Sequence, residues 1–305
     1  MRILPLLAIA SVALACGPGP SASRAVVPGL DPLSGALSSV EVELPGCDFA
    51  SVKGPAAQVL VGGALENGRV SGGGAPDCLL RRTASGAFIA TSARCSSFLG
   101  AYASLEHARQ FLLSAGAEAL SPALVLADPS LRNEEAPAGV RYVPGADCFT
   151  LLAGPAGARV PAALNPGAAV RELARRQLRS LLETRPAEAE GVALFLGAAA
   201  SGDPAYLASS ESQGDPRGEL DLARPLPSSA NASSVVASAL WAWSESSGDA
   251  LAASRAVLAA ARALGDREGP AQLLSLVAAQ LDGAERDQAC AVFRARVQGT
   301  IPACP

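Results

Sequence analysis

The chain has 305 residues, more than one hydrophobic core usually holds, so two domains are expected. A formal net charge of −4 with no basic block argues against nucleic-acid binding, because phosphate affinity needs a basic surface. His107 is the only histidine, which rules out a metal centre built on several imidazoles and a relay between two of them.

The first segment is a leader. Met1 and Arg2 form a short positive region, Ile3 to Leu14 an apolar run, and Ala13-Leu14-Ala15 places small residues where a signal peptidase cuts, so residues 1–15 are expected to be a signal peptide. Val12-Ala13-Leu14-Ala15-Cys16 also resembles the lipobox of bacterial lipoproteins. That resemblance implies an acylated Cys16 as the first mature residue and a membrane contact through its lipid. Gly17, in place of aspartate, implies the outer membrane by the same resemblance. The alternative is ordinary cleavage and a secreted or periplasmic chain.

The cysteines bear on this choice. Cys16, Cys47, Cys78, Cys95, Cys148, Cys290 and Cys304 are an odd set, and giving Cys16 to a lipid leaves six for disulfides in an oxidising compartment. Six cysteines allow fifteen pairings. Short local loops favour Cys78 with Cys95 and Cys290 with Cys304, and Cys47 with Cys148 follows by elimination. Residues 16–39, rich in Gly, Pro, Ser and Ala, are expected to be a flexible tether.

Residues 40–165 carry β-type runs at 40–44, 58–61, 87–91, 123–127, 140–143 and 148–152, a loop at Ser71-Gly72-Gly73-Gly74, and a helix at about 104–115. A disulfide-braced, β-rich α+β domain is predicted. Within it, the segment from Cys78 through Thr91-Ser92-Ala93-Arg94-Cys95 resembles the first disulfide loop of trypsin-like proteases, with Val61-Gly62-Gly63 similar to their mature start. Arg94 stands where that family has its general base, and a guanidinium cannot take a proton from serine, so the resemblance implies at most an inactive relic. His107 falls opposite Leu105 and Leu112 and is expected in solvent. Glu134-Glu135 reads as a solvated turn. Asp48 and Asp147 each neighbour a cysteine, so a Cys47–Cys148 bridge would bring two carboxylates together as an acid pair or calcium site.

Residues 166–305 are predicted all-α. Asn165-Pro166 is a helix start, followed by apolar residues at helical spacing to Leu181, with further helices at about 187–200, 232–246, 249–264, 268–281 and 284–297. Arg171, Arg175, Arg176 and Arg179 share the polar side of the first, either as a salt-bridged solvated face with Glu172 and Glu183 or as a site for an anionic partner. Of Trp241 and Trp243, two apart, one is expected in the core and the other at a partner surface.

An internal repeat follows. Ser201-Gly202-Asp203 recurs as Ser247-Gly248-Asp249, an offset of 46, and Gly248 maps onto Gly283 at an offset of 35. The second hairpin is similar to a tetratricopeptide repeat at Leu240, Gly248, Asp249, Ala253 and Ala260, which implies stacked helical hairpins that bind protein; a plain alanine-rich bundle is the alternative. The polar stretch 209–229 is expected as an inserted loop. The sequence therefore predicts a non-enzymatic envelope lipoprotein with a protein partner, no cofactor, no metal and no catalytic residue. The competing expectation is an envelope enzyme or ligand-binding module that uses carboxylates of the β-rich half.

Overall fold

The computed structural model describes residues 24–30, 37–127, 137–153, 164–208, 220–227, 229–264, 269–297 and 300–304. Cys16, the leader, Glu134-Glu135 and most of the expected inserted loop lie outside the described residues. The architecture is α+β, with two sheets preceding a helical half.

The first sheet has the order β2-β1-β6-β5, built from β1 (Arg24–Leu30), β2 (Leu37–Glu43), β5 (Leu80–Arg82) and β6 (Phe88–Ala90). The second has the order β4-β3-β7-β9-β8, from β3 (Ala57–Glu66), β4 (Arg69–Gly74), β7 (Ala123–Ala127), β8 (Pro137–Val143) and β9 (Cys148–Ala153). β3, β7 and β9 run parallel at its centre, while β4 and β8 pair antiparallel at its edges. The parallel strands need a long crossover, and helix α1 (Ala93–Ser114) lies on it. Parallel pairing around a crossover helix is not the antiparallel barrel of trypsin-like proteases, so the loop from Cys78 to Cys95 carries no relic of that fold.

Three expectations need correction. The tether was expected to reach residue 39, yet Arg24–Leu30 is a strand, because Ala25 and Val27 alternate into the core while β2 and β6 satisfy its backbone. The loop expected at 71–74 belongs to β4, where Gly72 and Gly73 adopt φ of 63° and 84° and Gly73 lies so close to Gly63 that a Cβ would meet its backbone at 2.9 Å. Helix α1 starts eleven residues before the expected Ser104, capped by the Ser92 side chain, which accepts from the Cys95 amide at 3.2 Å. Gly100 within it allows the helix to touch β1, since a Cβ there would lie 2.9 Å from the Pro28 carbonyl oxygen.

The disulfides Cys78–Cys95 and Cys290–Cys304 form as expected. Cys47–Cys148 does not: both thiols are free. Asp48 bridges to Lys53, Lys53 to Gln58, Gln58 pairs with Leu124 and Leu124 with Cys148. At ~4.8 Å per ladder step, that path far exceeds the ~4.4–6.8 Å Cα span of a disulfide.

The helical half contains α2 (Pro166–Gln177), α3 (Arg179–Thr184), α4 (Pro186–Ser201), α5 (Ala232–Ser247), α6 (Ala250–Ala263), α7 (Pro270–Ala278) and α8 (Gly283–Arg296). Gly202 and Gly248 end α4 and α5 in the left-handed conformation, and Asp249 caps α6, as the Ser-Gly-Asp repeat suggests. Gly283 instead begins α8, and Asp203 starts no helix over the described residues 203–208, its carboxylate closing a turn onto the Ala205 amide instead. The helices group around α4 and α5, and the buried core continues from the sheets through α1 and α2 into them.

α4 is the central helix. Its residues 191–198 are all buried, and glycines bring its neighbours close. A Cβ on Gly197 would lie 2.7 Å from the Gly167 carbonyl oxygen and 2.6 Å from the Tyr206 ring, so α2 and α4 nearly touch by backbone. Gly191 does the same against Val236 of α5 at 2.7 Å. Helix propensity alone would make Gly197→Ala stabilising by up to ~1 kcal/mol; the crossing predicts the opposite sign, a loss of about 2 kcal/mol. Urea unfolding of the variant checks this, and any gain in stability would contradict the close approach.

Candidate functional site

The cluster of titratable groups with the most shared contacts lies where α2 crosses α4. Asn165 caps α2, its Oδ1 accepting from the Ala168 amide at 3.3 Å, and Pro166 occupies the first turn. This start sets the helix phase so that Arg171 and Arg175, four apart, face α4. On α4, Glu190 is an acid in an otherwise largely apolar helix.

The two arginines close on that carboxylate. Arg171 Nε donates to Glu190 Oε1 at 2.8 Å, its Nη2 also pairs with Oε1, and Arg175 Nε lies 3.1 Å from Oε2. Between them on α2, Glu172 takes Arg175 Nη1 at 2.8 Å on Oε2 and Arg171 Nη1 at 3.2 Å on Oε1. The Tyr142 amide of β8 donates to the same Glu172 Oε2 at 2.8 Å, tying the sheet edge to the cluster. Two cations and two anions thus cancel in a largely buried site, where Arg171 and Glu172 side chains are 12% and 7% exposed. Burial pushes the Arg171 guanidinium down, but the charges of Glu172 and Glu190, with Tyr206 and the Glu190 hydrogen bond, outweigh it and hold its pKa above the ordinary value.

A second pair leaves the other side of α2. Arg176 grips Asp147 with a fork, Nε to Oδ1 at 2.9 Å and Nη2 to Oδ2 at 3.0 Å, and donates through Nη1 to the Ser121 carbonyl at 2.8 Å. The Tyr142 hydroxyl donates to Asp147 Oδ1 at 3.0 Å. Asp147 sits at φ 46° and ψ 43°, a left-handed conformation that aspartate tolerates. The Arg176 hydrogen bonds hold its carboxyl below the usual range, against the opposing effect of burial, and Arg176 and Arg179 charges and the Tyr142 bond add to the lowering.

Several expectations are overturned here. Arg171, Arg175 and Arg176 are not a solvated face or an anion-binding patch, because each is inside and already paired; only Arg179 is exposed, 3.6 Å from Glu183. Arg176 pairs with Asp147, not with Glu172. Trp241 and Trp243 are both buried, the second edge-on to Phe293 at 5.9 Å, so neither is a partner contact. Asp48 and Asp147 do not converge: Asp48 accepts from Ser51 Oγ at 2.7 Å in its own turn, and that bond holds its carboxyl low. His107 is exposed, as expected. Burial pushes the Cys47 thiol up to about 12, so it is an unreactive thiol, and burial raises Cys148 as well, with Asp147 adding to it.

Chemically, the cluster is closed. Guanidinium offers donors only, stays protonated and ligates no metal, and each carboxylate oxygen of Glu172 and Glu190 already faces a cation. Among the described residues no group of three or more His, Cys, Asp and Glu could hold a metal ion. No protein-family profile matches the chain, and no curated protein matches its sequence.

The Asp147–Arg176 pair sets a pH dependence. Asp147 is depressed in the folded state, so its stabilisation is complete above the unfolded value of ~3.9 and disappears as pH falls through the lower folded value. With the Asp147 side chain 41% exposed, the effect is under about 1 kcal/mol. Urea midpoints followed from neutral pH down through that range should fall more steeply for the parent than for Asp147→Asn, and parallel curves would contradict the pairing.

Proposed function

We propose that the chain is a non-enzymatic, exported lipoprotein, anchored to the bacterial envelope through Cys16, whose helical half receives a segment of a protein partner. The observation that carries the partner side is a surface groove on that half. It is bordered by Pro225, Leu226 and Pro227, by Val235 of α5, by Pro270 at the start of α7 and by Ala295 near the end of α8, with a volume of about 700 Å³. Such a space suits a few residues of an extended chain. Arg296 lies at its edge with Nη1 bonded to Ser238 Oγ at 2.9 Å, which favours a partner segment carrying an acidic group.

The non-enzymatic part of the reading is supported by the chemistry of the interior. The carboxylates of Glu172 and Glu190 are neutralised by arginine, and Asp48 and Asp147 are held separately. The anchor rests on the leader, Val12-Ala13-Leu14-Ala15-Cys16; the cysteine count no longer adds to it, because Cys47 and Cys148 stay unpaired beside the two bridged pairs. No helix among the described residues is long and apolar enough to cross a membrane.

Intact-mass spectrometry of the native protein should show cleavage before Cys16 and added acyl mass, and an unacylated chain contradicts the anchor. A photo-crosslinking side chain at Val235, in cells, should yield one discrete adduct that is absent when the probe sits at exposed Leu79. Equal labelling at both positions, or none, contradicts the groove as the binding surface.

A further inference from the structure

Strand β1 shortens the chain available between an anchor at Cys16 and the folded body. From Cys16 to Arg24 is eight residues, which at ~3.5 Å each reach at most about 28 Å. A folded chain of about 280 residues has a radius of gyration of about 19 Å and a diameter of about 48 Å. The reach is little more than half that width, so an anchored body keeps its Arg24 side toward the bilayer.

The first sheet forms that side. Its register places Val26, Ile89 and Arg81 in one row across β1, β6 and β5, on the face opposite the buried Ala25 and Val27. The pairing extends one residue beyond β5, where the Thr91 amide donates to the Leu79 carbonyl at 3.0 Å, so Leu79 shares this outer face with Arg81. At 71% exposure Leu79 is the most exposed large apolar residue among those described. The same edge is basic. Arg24 is paired with Glu41 at 2.7 Å and donates to the Ser85 carbonyl, while Arg82 donates to the neighbouring Gly86 carbonyl at 3.3 Å and stacks over Phe88. Among the described residues neither Arg81 nor Arg82 makes an ion pair, not even with Asp77 four residues before Arg81, and the exposed Glu43 lies on β2 at the other edge.

We propose that the β5 edge of this outer face, through Leu79, Arg81 and Arg82, rests on the phospholipid headgroups of the leaflet that holds the Cys16 acyl chains; the proposal rests on Cys16 being the anchor. An exposed leucine beside unpaired arginines suits the headgroup boundary, where the apolar side chain enters the edge of the acyl layer and each guanidinium fork meets a phosphate. One leucine and two arginines bind a free vesicle weakly. The tether holds them within reach of the surface at a high effective concentration, so a weak contact is sufficient.

The consequence is an orientation. The body lies against the leaflet by its first sheet and does not swing free at the end of a long tether.

The test uses the mature, acylated chain reconstituted into vesicles of phosphatidylethanolamine with about one quarter phosphatidylglycerol, carrying an encoded fluorescent side chain at Leu79 and a nitroxide quencher on the lipid headgroups. Intact mass and flotation with the vesicles report the anchor separately. Quenching at Leu79 should exceed that of the same probe at exposed Arg286 on α8 by at least about 3-fold. Arg81→Glu with Arg82→Glu should lower it toward the Arg286 level while acylation, flotation and circular dichroism stay unchanged. Where the double variant loses its fold, Arg81→Glu alone, with no bonded partner to lose among the described residues, must lower the quenching in the same direction. Equal quenching at the two positions, quenching indifferent to the charge reversal, or a discrete protein adduct from a photo-crosslinking probe at Leu79 overturns the lipid contact and leaves the anchor standing. An unacylated chain overturns both.

Discussion

The near-contact of two helix backbones is the constraint on which the rest depends. With Gly167 on α2 and Gly197 on α4 facing each other, the helices approach too closely for any side chain between them. Because they run antiparallel, the next turn of α2 then places Arg171 and Arg175 over Glu190. A side chain larger than hydrogen at either glycine would lift α2 away, and the ion cluster would lose its fit. The same helix α4 uses Gly191 to seat α5, so one element organises both the charges and the apolar core around it.

From α2, polar contacts spread outward to the sheet. Glu172 takes the Tyr142 amide of β8, and Arg176 holds Asp147 between β8 and β9 and the Ser121 carbonyl before β7. These bonds connect the strand edge to the helical half at the place where the apolar core also continues across. A cluster of buried charges adds little net stability compared with a well-packed apolar core, since desolvation offsets most of the attraction. Its effect is on register. A shift of α2 along α4 by one turn would take both arginines away from Glu190 and leave the Glu172 pairs, which lie within α2, with one uncompensated positive charge, an error more costly than the cluster's own contribution.

Much of this was legible in the chain order. The strands at 123–127 and 148–152 and the helices from Pro166 onward follow from period and caps, because alternation and Asn-Pro or Gly-Asp punctuation are local signals. Three strands were not legible. β1 lies in a Pro- and Gly-containing stretch of tether-like composition, β4 is glycine-rich, and β5 is only three residues long, so partners distant in sequence decide them. The first half of α1 hid behind serines and Gly100, although Phe98, Tyr102 and Leu105 carry its buried stripe. Two disulfides closing short loops were readable. The third was not a disulfide at all, since elimination assumes every cysteine must pair.

The site was half visible. Arg171, Arg175 and Glu172 stood out as a charged helix face, but an amphipathic reading sends such a face to solvent, and nothing local says that a second charged helix covers it. The signal for the partner was Glu190 at the start of the apolar run of α4. A partly buried acid directly before the buried run 191–198 calls for a cation beside it.

Arg171 and Glu190 interact directly inside the protein, and their contact aligns α2 with α4. A double-mutant cycle with Arg171→Ala and Glu190→Ala measures this by urea unfolding. A direct buried contact predicts a coupling above about 1.5 kcal/mol that persists in about 1 M salt, where a surface pair would be screened. Additive losses, or a coupling abolished by salt, would contradict it.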